Sequence, residues 1–127
     1  MRLAELCRQG QFIQAIEELY ADDIESVEPF AMPGFEQIQK GKDAIMAKNK
    51  WWAENTEVHG CEIDGPFPQP DTGRFSLVFK IDATCKMRGT REIMHEIALY
   101  TANKDTGKIE KEEFFYMPPE GGDSCSA

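Results

Sequence analysis

Two glutamates, Glu28 and Glu96, lie in stretches that otherwise read as buried strands, Ile24 to Phe30 and Ile93 to Tyr100. A carboxyl on the apolar side of a strand is costly unless it is paired, hydrogen-bonded or kept protonated. If both face one cavity, the chain carries a polar centre inside an apolar pocket, a setting for proton transfer or ligand binding. Two carboxyls in a dry pocket do not both ionise cheaply, so one stays neutral as a donor while the other remains a base. The competing reading of Glu28 is a strand-end carboxylate ion-paired with Lys42, Lys48 or Arg91. In the second stretch either Glu96 faces inward beside Met94, Ala98 and Tyr100, or His95 does, beside Ile97 and Leu99.

Other residues are candidates for the walls of such a pocket. Trp51 and Trp52 are neighbours on a helix, about 100° apart, so one packs under a sheet while the other meets the pocket mouth or an interface. In the last strand Glu112, Phe114 and Tyr116 share one face and Glu113 and Phe115 the other. His59 and His95 stand apart without metal-ligand spacing, and no metal is expected. Cys7, Cys61, Cys85 and Cys125 form no CxxC pair and are expected to be free thiols, mainly core filler. With no GxSxG elbow and no Gly-rich phosphate loop, nucleophilic catalysis and a nucleotide cofactor lack support, and no cofactor is expected.

The elements that position these residues are helices first and sheet afterwards. Leu3, Leu6 and Cys7, then Phe12, Ile13, Ile16, Leu19 and Tyr20 after the break at Gly10, predict a helical hairpin ending at Ala21 to Asp23. A short strand from Ile24 to Phe30 closes at Pro29 and the turn Met32 to Gly34. Lys42 to Asn55 is a predicted helix with Ala44, Ile45, Lys48, Trp51 and Trp52 toward the core. From Thr56 the period changes to two, most clearly where Phe75, Leu77, Phe79, Ile81 and Ala83 alternate with polar or smaller neighbours. Turns at Asp71–Gly73, Arg88–Gly89 and Asp105–Gly107 join long strands into an antiparallel meander, the pattern of an α+β fold with helices on one face. Residues 1–117 are expected to be one domain and residues 118–127 a disordered tail.

Composition narrows the function classes. Acidic residues outnumber basic ones 23 to 14, and a field of net charge −9 repels nucleic acid. No stretch approaches the roughly 20 apolar residues of a membrane span, and the N-terminus lacks a signal-peptide apolar run, so the expected location is cytoplasmic. Val78 alternates with Phe79 and Leu99 with Tyr100, so both sheet faces carry apolar residues; helices cover one, and a homodimer is expected to cover the other.

Leu19-Tyr20-Ala21-Asp22-Asp23-Ile24 before a strand ending in an acid and Pro29, Gly41-Lys42-Asp43-Ala44-Ile45 opening a helix, and Gly107-Lys108-Ile109 followed by Glu113-Phe114-Phe115-Tyr116 together carry a resemblance. Over residues 1 to 117 the chain resembles the SnoaL-like branch of the nuclear transport factor two-like superfamily, which also contains ketosteroid isomerase and scytalone dehydratase. The resemblance implies an α+β cone, a curved antiparallel sheet wrapped around N-terminal helices, with an internal pocket and frequent dimerisation through the sheet. It also implies that Glu28 falls where ketosteroid isomerase has its general base. Glu96 falls near the acid that hydrogen-bonds the oxyanion, with His95 one position away as competitor. Tyr20 is available to complete an oxyanion site, although it stands later in its helix than the isomerase tyrosine, which speaks against steroid isomerisation. The isomerase pattern favours Glu112, Phe114 and Tyr116 as pocket-facing.

A fold does not fix a function. Three classes remain: an isomerase, cyclase or dehydratase acting on a small apolar carbonyl substrate, a non-catalytic binder of an apolar ketone or acid, and a protein-interaction domain. A sealed pocket with ionisable groups favours the first two, and an open pocket with a large exposed apolar sheet on a monomer favours the third.

Overall fold

Leu3, Ala4, Leu6 and Cys7 bury one side of helix α1 (Arg2–Arg8), and Gly10, at φ 74°, turns the chain into α2 (Phe12–Leu19). The computed structural model describes residues 1–31 and 34–117, which form three helices and a six-stranded sheet. The expected tail and part of the Met32–Gly34 turn lie outside the described residues. Strand β1 (Tyr20–Val27) follows α2 without a loop, and a short β2 (Ile38–Lys40) pairs with it antiparallel. Helix α3 (Lys42–Asn55) then leads directly into β3 (Thr56–Gln69), followed by β4 (Arg74–Cys85), β5 (Thr90–Ala102) and β6 (Ile109–Phe115).

The spatial order is β2-β1-β6-β5-β4-β3. The four long strands form the expected antiparallel meander, and the helices sit against the face that carries the even residues of β5 and the odd residues of β4. Phe75, Leu77, Phe79, Ile81 and Ala83 all point into the core there, against Leu3, Leu6, Ile16, Ile45 and Trp52. This is the α+β cone. Burying these side chains supplies the main drive for folding, about 1.5–3 kcal/mol for each large aliphatic or aromatic one.

Three expectations need correction. The sheet is not wholly antiparallel, since β1 runs parallel to β6. These strands are separated by most of the chain, so no hairpin dictates their relative direction. Tyr20 opens β1 rather than closing the helix, because the backbone is already extended there, at φ −88° and ψ 140°. Cys7 and Cys61 are free, but Cys85 is disulfide-bonded, while Cys125 lies outside the described residues. Burial pushes the Cys7 thiol up to about 12 and the Cys61 thiol up to about 11, which keeps both protonated and unreactive.

Candidate functional site

The parallel pairing of β1 with β6 sets Ser26 beside Glu112, and the antiparallel pairing of β5 with β6 sets Tyr100 on the other side of Glu112. Period two along β5 turns Met94, Glu96, Ala98 and Tyr100 inward and leaves His95 and Ile97 exposed. The alternative left open by the sequence therefore resolves to Glu96 inside. Phe79 of β4 is its cross-strand neighbour.

Three buried glutamates, Glu28, Glu96 and Glu112, face Lys48, the one basic side chain buried among the described residues. The Lys48 ammonium donates to Glu28 Oε1 at 2.9 Å and to Ser26 Oγ at 3.0 Å, and lies 5.7 Å above the Phe114 ring. The Ser26 hydroxyl donates to Glu112 Oε1 at 2.9 Å, and the Tyr20 hydroxyl donates to Glu112 Oε2. The Tyr116 hydroxyl donates to Glu28 Oε2 at 2.6 Å. One hydrogen-bonded chain thus runs from Tyr116 through Glu28, Lys48, Ser26 and Glu112 to Tyr20. A buried ion pair embedded this way is strongly destabilising to break, by about 3–5 kcal/mol, because the orphaned charge stays buried.

Glu96 stands outside this chain. Its Oε2 is buried and has no hydrogen-bond partner among the described residues. Burial, and then the negative charge of Glu28, push its carboxyl well above the usual range, with Lys48 opposing and Glu112 adding. Glu112 is also raised, first by burial, while Lys48, Tyr20 and Ser26 pull it back. One ammonium does not balance three carboxylates, and burial favours the neutral form of Glu96, whose Oε2 has no hydrogen-bond partner among the described residues.

Glu96 and Glu112 line a partly open cavity of about 60 Å³ together with Tyr20, Tyr100, Trp52 and Phe114. Burial pushes the Tyr20 and Tyr100 hydroxyls up, so both remain donors. Trp52 also keeps an indole Nε1 buried without a partner among the described residues. Glu28 is not part of this lining; it sits behind, with each oxygen engaged. Trp51 packs edge-on against Phe35 with ring centroids 5.6 Å apart and does not line the cavity. Met94, His95 and Tyr116 instead line a separate groove of about 330 Å³ that also reaches Glu96. Among the described residues no group of three or more His, Cys, Asp or Glu is arranged to hold a metal.

Sequence reasoning placed Lys48 toward the core and among three possible counter-ions of Glu28, but missed Ser26 as a site residue. The signal for Ser26 was available, since it lies on the same strand face as Ile24 and Glu28.

The SnoaL-like domain model matches residues 1–116. The chain belongs to the SnoaL-like family. A Mesorhizobium loti protein described as a candidate SnoaL-like polyketide cyclase shares 43% identity over 91% of this chain and 93% of that one, with a TM-score of 0.80. A candidate isomerase from Bacillus subtilis has a TM-score of 0.73 at 16% identity, covering 92% and 82% of the two chains. A nuclear transport factor two-like protein of unknown function from Burkholderia pseudomallei has the same TM-score at 14% identity, covering 91% and 85%. The last two show a common fold. No curated protein matches the sequence. Among the described residues no helix is long and apolar enough to cross a membrane.

Proposed function

We propose that this SnoaL-like protein binds a small neutral carbonyl compound in the cone, with the protonated Glu96 carboxyl donating to the carbonyl oxygen. The observation that carries this reading is the pair of partnerless polar groups, Glu96 Oε2 and Trp52 Nε1, on side chains lining one apolar cavity. A neutral carboxyl and an indole N–H both donate, so the complementary ligand offers acceptors in an otherwise apolar body. A carbonyl meets that description. A carboxylate ligand is less suited, because the only buried ammonium among the described residues is already held by Glu28, and the net charge of −9 opposes anions.

The test is a thermal-shift and calorimetric comparison of small ketones with the matching alcohols and carboxylates. Ketones are expected to bind best. Glu96→Leu should weaken ketone binding at least tenfold, the worth of about 1.4 kcal/mol, while Glu96→Gln, which keeps a donor, should weaken it less. Equal binding by Glu96→Leu and the parent protein would remove the basis of the assignment.

Turnover of the isomerase, cyclase or dehydratase type is a second reading, favoured by Glu28 lying close enough for its charge to act on Glu96. In it Glu28, which stands behind the cavity lining, serves as base once its Tyr116 contact is released, and Glu96 is the donor that stabilises the enolate oxygen. Exchange of α-protons of a bound ketone with heavy water, followed by NMR and lost in Glu28→Gln, supports catalysis. Absence of exchange leaves a binder. A homodimer formed through the outer sheet face, and a cytoplasmic location, complete the reading.

A further inference from the structure

Glu96 borders two compartments, and this says what shape of ligand the site takes. On its inner side is the 60 Å³ cavity, bounded by Phe79, Ile81, Trp52 and Phe114. On its other side is the 330 Å³ groove, bounded by Ile93, Met94, His95, Tyr116 and Met117. The inner cavity is small; an engineered apolar cavity that takes up benzene measures about 150 Å³. A ring-sized ligand therefore exceeds it, whereas a methyl or ethyl group fits. The groove is several times larger and is apolar along Ile93, Met94, Tyr116 and Met117, with Glu92 and His95 supplying polarity. Glu96, whose Oε2 is buried without a partner among the described residues, is the residue common to both linings.

We propose that the ligand is an elongated carbonyl compound whose short end enters the inner cavity, whose carbonyl meets Glu96, and whose longer apolar arm lies in the groove. The proposal rests on the reading of Glu96 as a carbonyl donor and adds the asymmetry of the two arms. Tyr116 gives the arm a route to the ionic cluster, because it lines the groove and its hydroxyl holds Glu28.

Methyl ketones of increasing length, from butanone to decanone, test the assignment by calorimetry or ligand-observed NMR. Affinity should rise by about fourfold for each methylene that reaches the groove, the transfer value for a buried methylene. Lengthening the short side instead, from a methyl ketone to the symmetric ketone of the same carbon number, should lower it. Met94→Trp, which fills the groove, should cut decanone binding at least tenfold and leave butanone binding within about twofold. Met94→Ala, which leaves the groove open, should keep the chain-length dependence and so distinguishes a filled groove from a misfolded strand. Affinity independent of chain length, with butanone binding still sensitive to Glu96→Leu, overturns the two-compartment proposal and leaves the carbonyl reading standing. Failure of every ketone to bind overturns both.

Discussion

The protonation of Glu96 is where one residue makes function and stability compete. Its carboxyl is lifted first by burial and then by the charge of Glu28, so the folded protein keeps a proton that the unfolded chain releases. The stabilisation tied to that proton is fully present below the unfolded carboxyl value and is lost as pH rises through the folded one. As pH rises above the unfolded carboxyl value the parent protein should therefore lose unfolding free energy more steeply than Glu96→Leu. Urea unfolding at a series of pH values measures this, against a background to which Glu112, raised in the same direction, contributes in both proteins. The leucine variant should also be the more stable of the two at neutral pH, by about 1–3 kcal/mol, because a buried polar atom without a partner is removed. Parallel pH slopes would show that Glu96 carries no retained proton, and the donor role with it would fall.

At the scale of elements, positions are held by turns as much as by packing. Gly73 joins β3 to β4 at φ 74°, its carbonyl accepts from the Ala102 amide at 2.8 Å, and a Cβ there would collide with the Ala102 carbonyl oxygen. Gly73→Ala should destabilise the fold by about 1–3 kcal/mol through both backbone strain and the clash, read as a lower urea midpoint with an unchanged slope. An alanine variant as stable as the parent would contradict the strained geometry. The Asp71–Gly73 signal was legible in the sequence for the same reason that it matters: few residue types occupy that backbone region. Strands β4 and β5 were legible because period two fixes which side chains go inward, and Lys42–Asn55 because its apolar spacing is helical. What local pattern does not encode is pairing across the whole chain. The parallel contact of β1 with β6, the three-residue β2 and the inward reach of Tyr20 all depend on partners far away in sequence. The Glu28–Lys48 ion pair falls between these cases, since both residues were visible as buried but the choice among three basic partners needed the fold.

For the molecule as a whole, the face of the sheet turned away from the helices raises a question of cover. Val78, Ile97 and Phe115 lie side by side across β4, β5 and β6, and Ile97 and Phe115 are 48% and 51% exposed. Ile93, on the same face of β5 beyond His95, is 54% exposed. Single exposed apolar side chains need no explanation, but apolar side chains side by side across three strands make a candidate contact surface. The acidic net charge makes chance association of copies unfavourable at low salt, so a dimer that forms does so through this apolar row and is strengthened by added salt. Sedimentation at micromolar concentration should give a dimer for the parent protein. Ile97→Glu combined with Phe115→Glu should give a monomer with an unchanged circular dichroism spectrum, because both side chains point away from the core. Since Glu96 and its cavity lie on the opposite face, that monomer should still bind butanone, which does not reach the groove at Ile93, within a few-fold of the dimer. A parent protein that sediments as a monomer, or a double variant that stays dimeric, would move the contact to another surface.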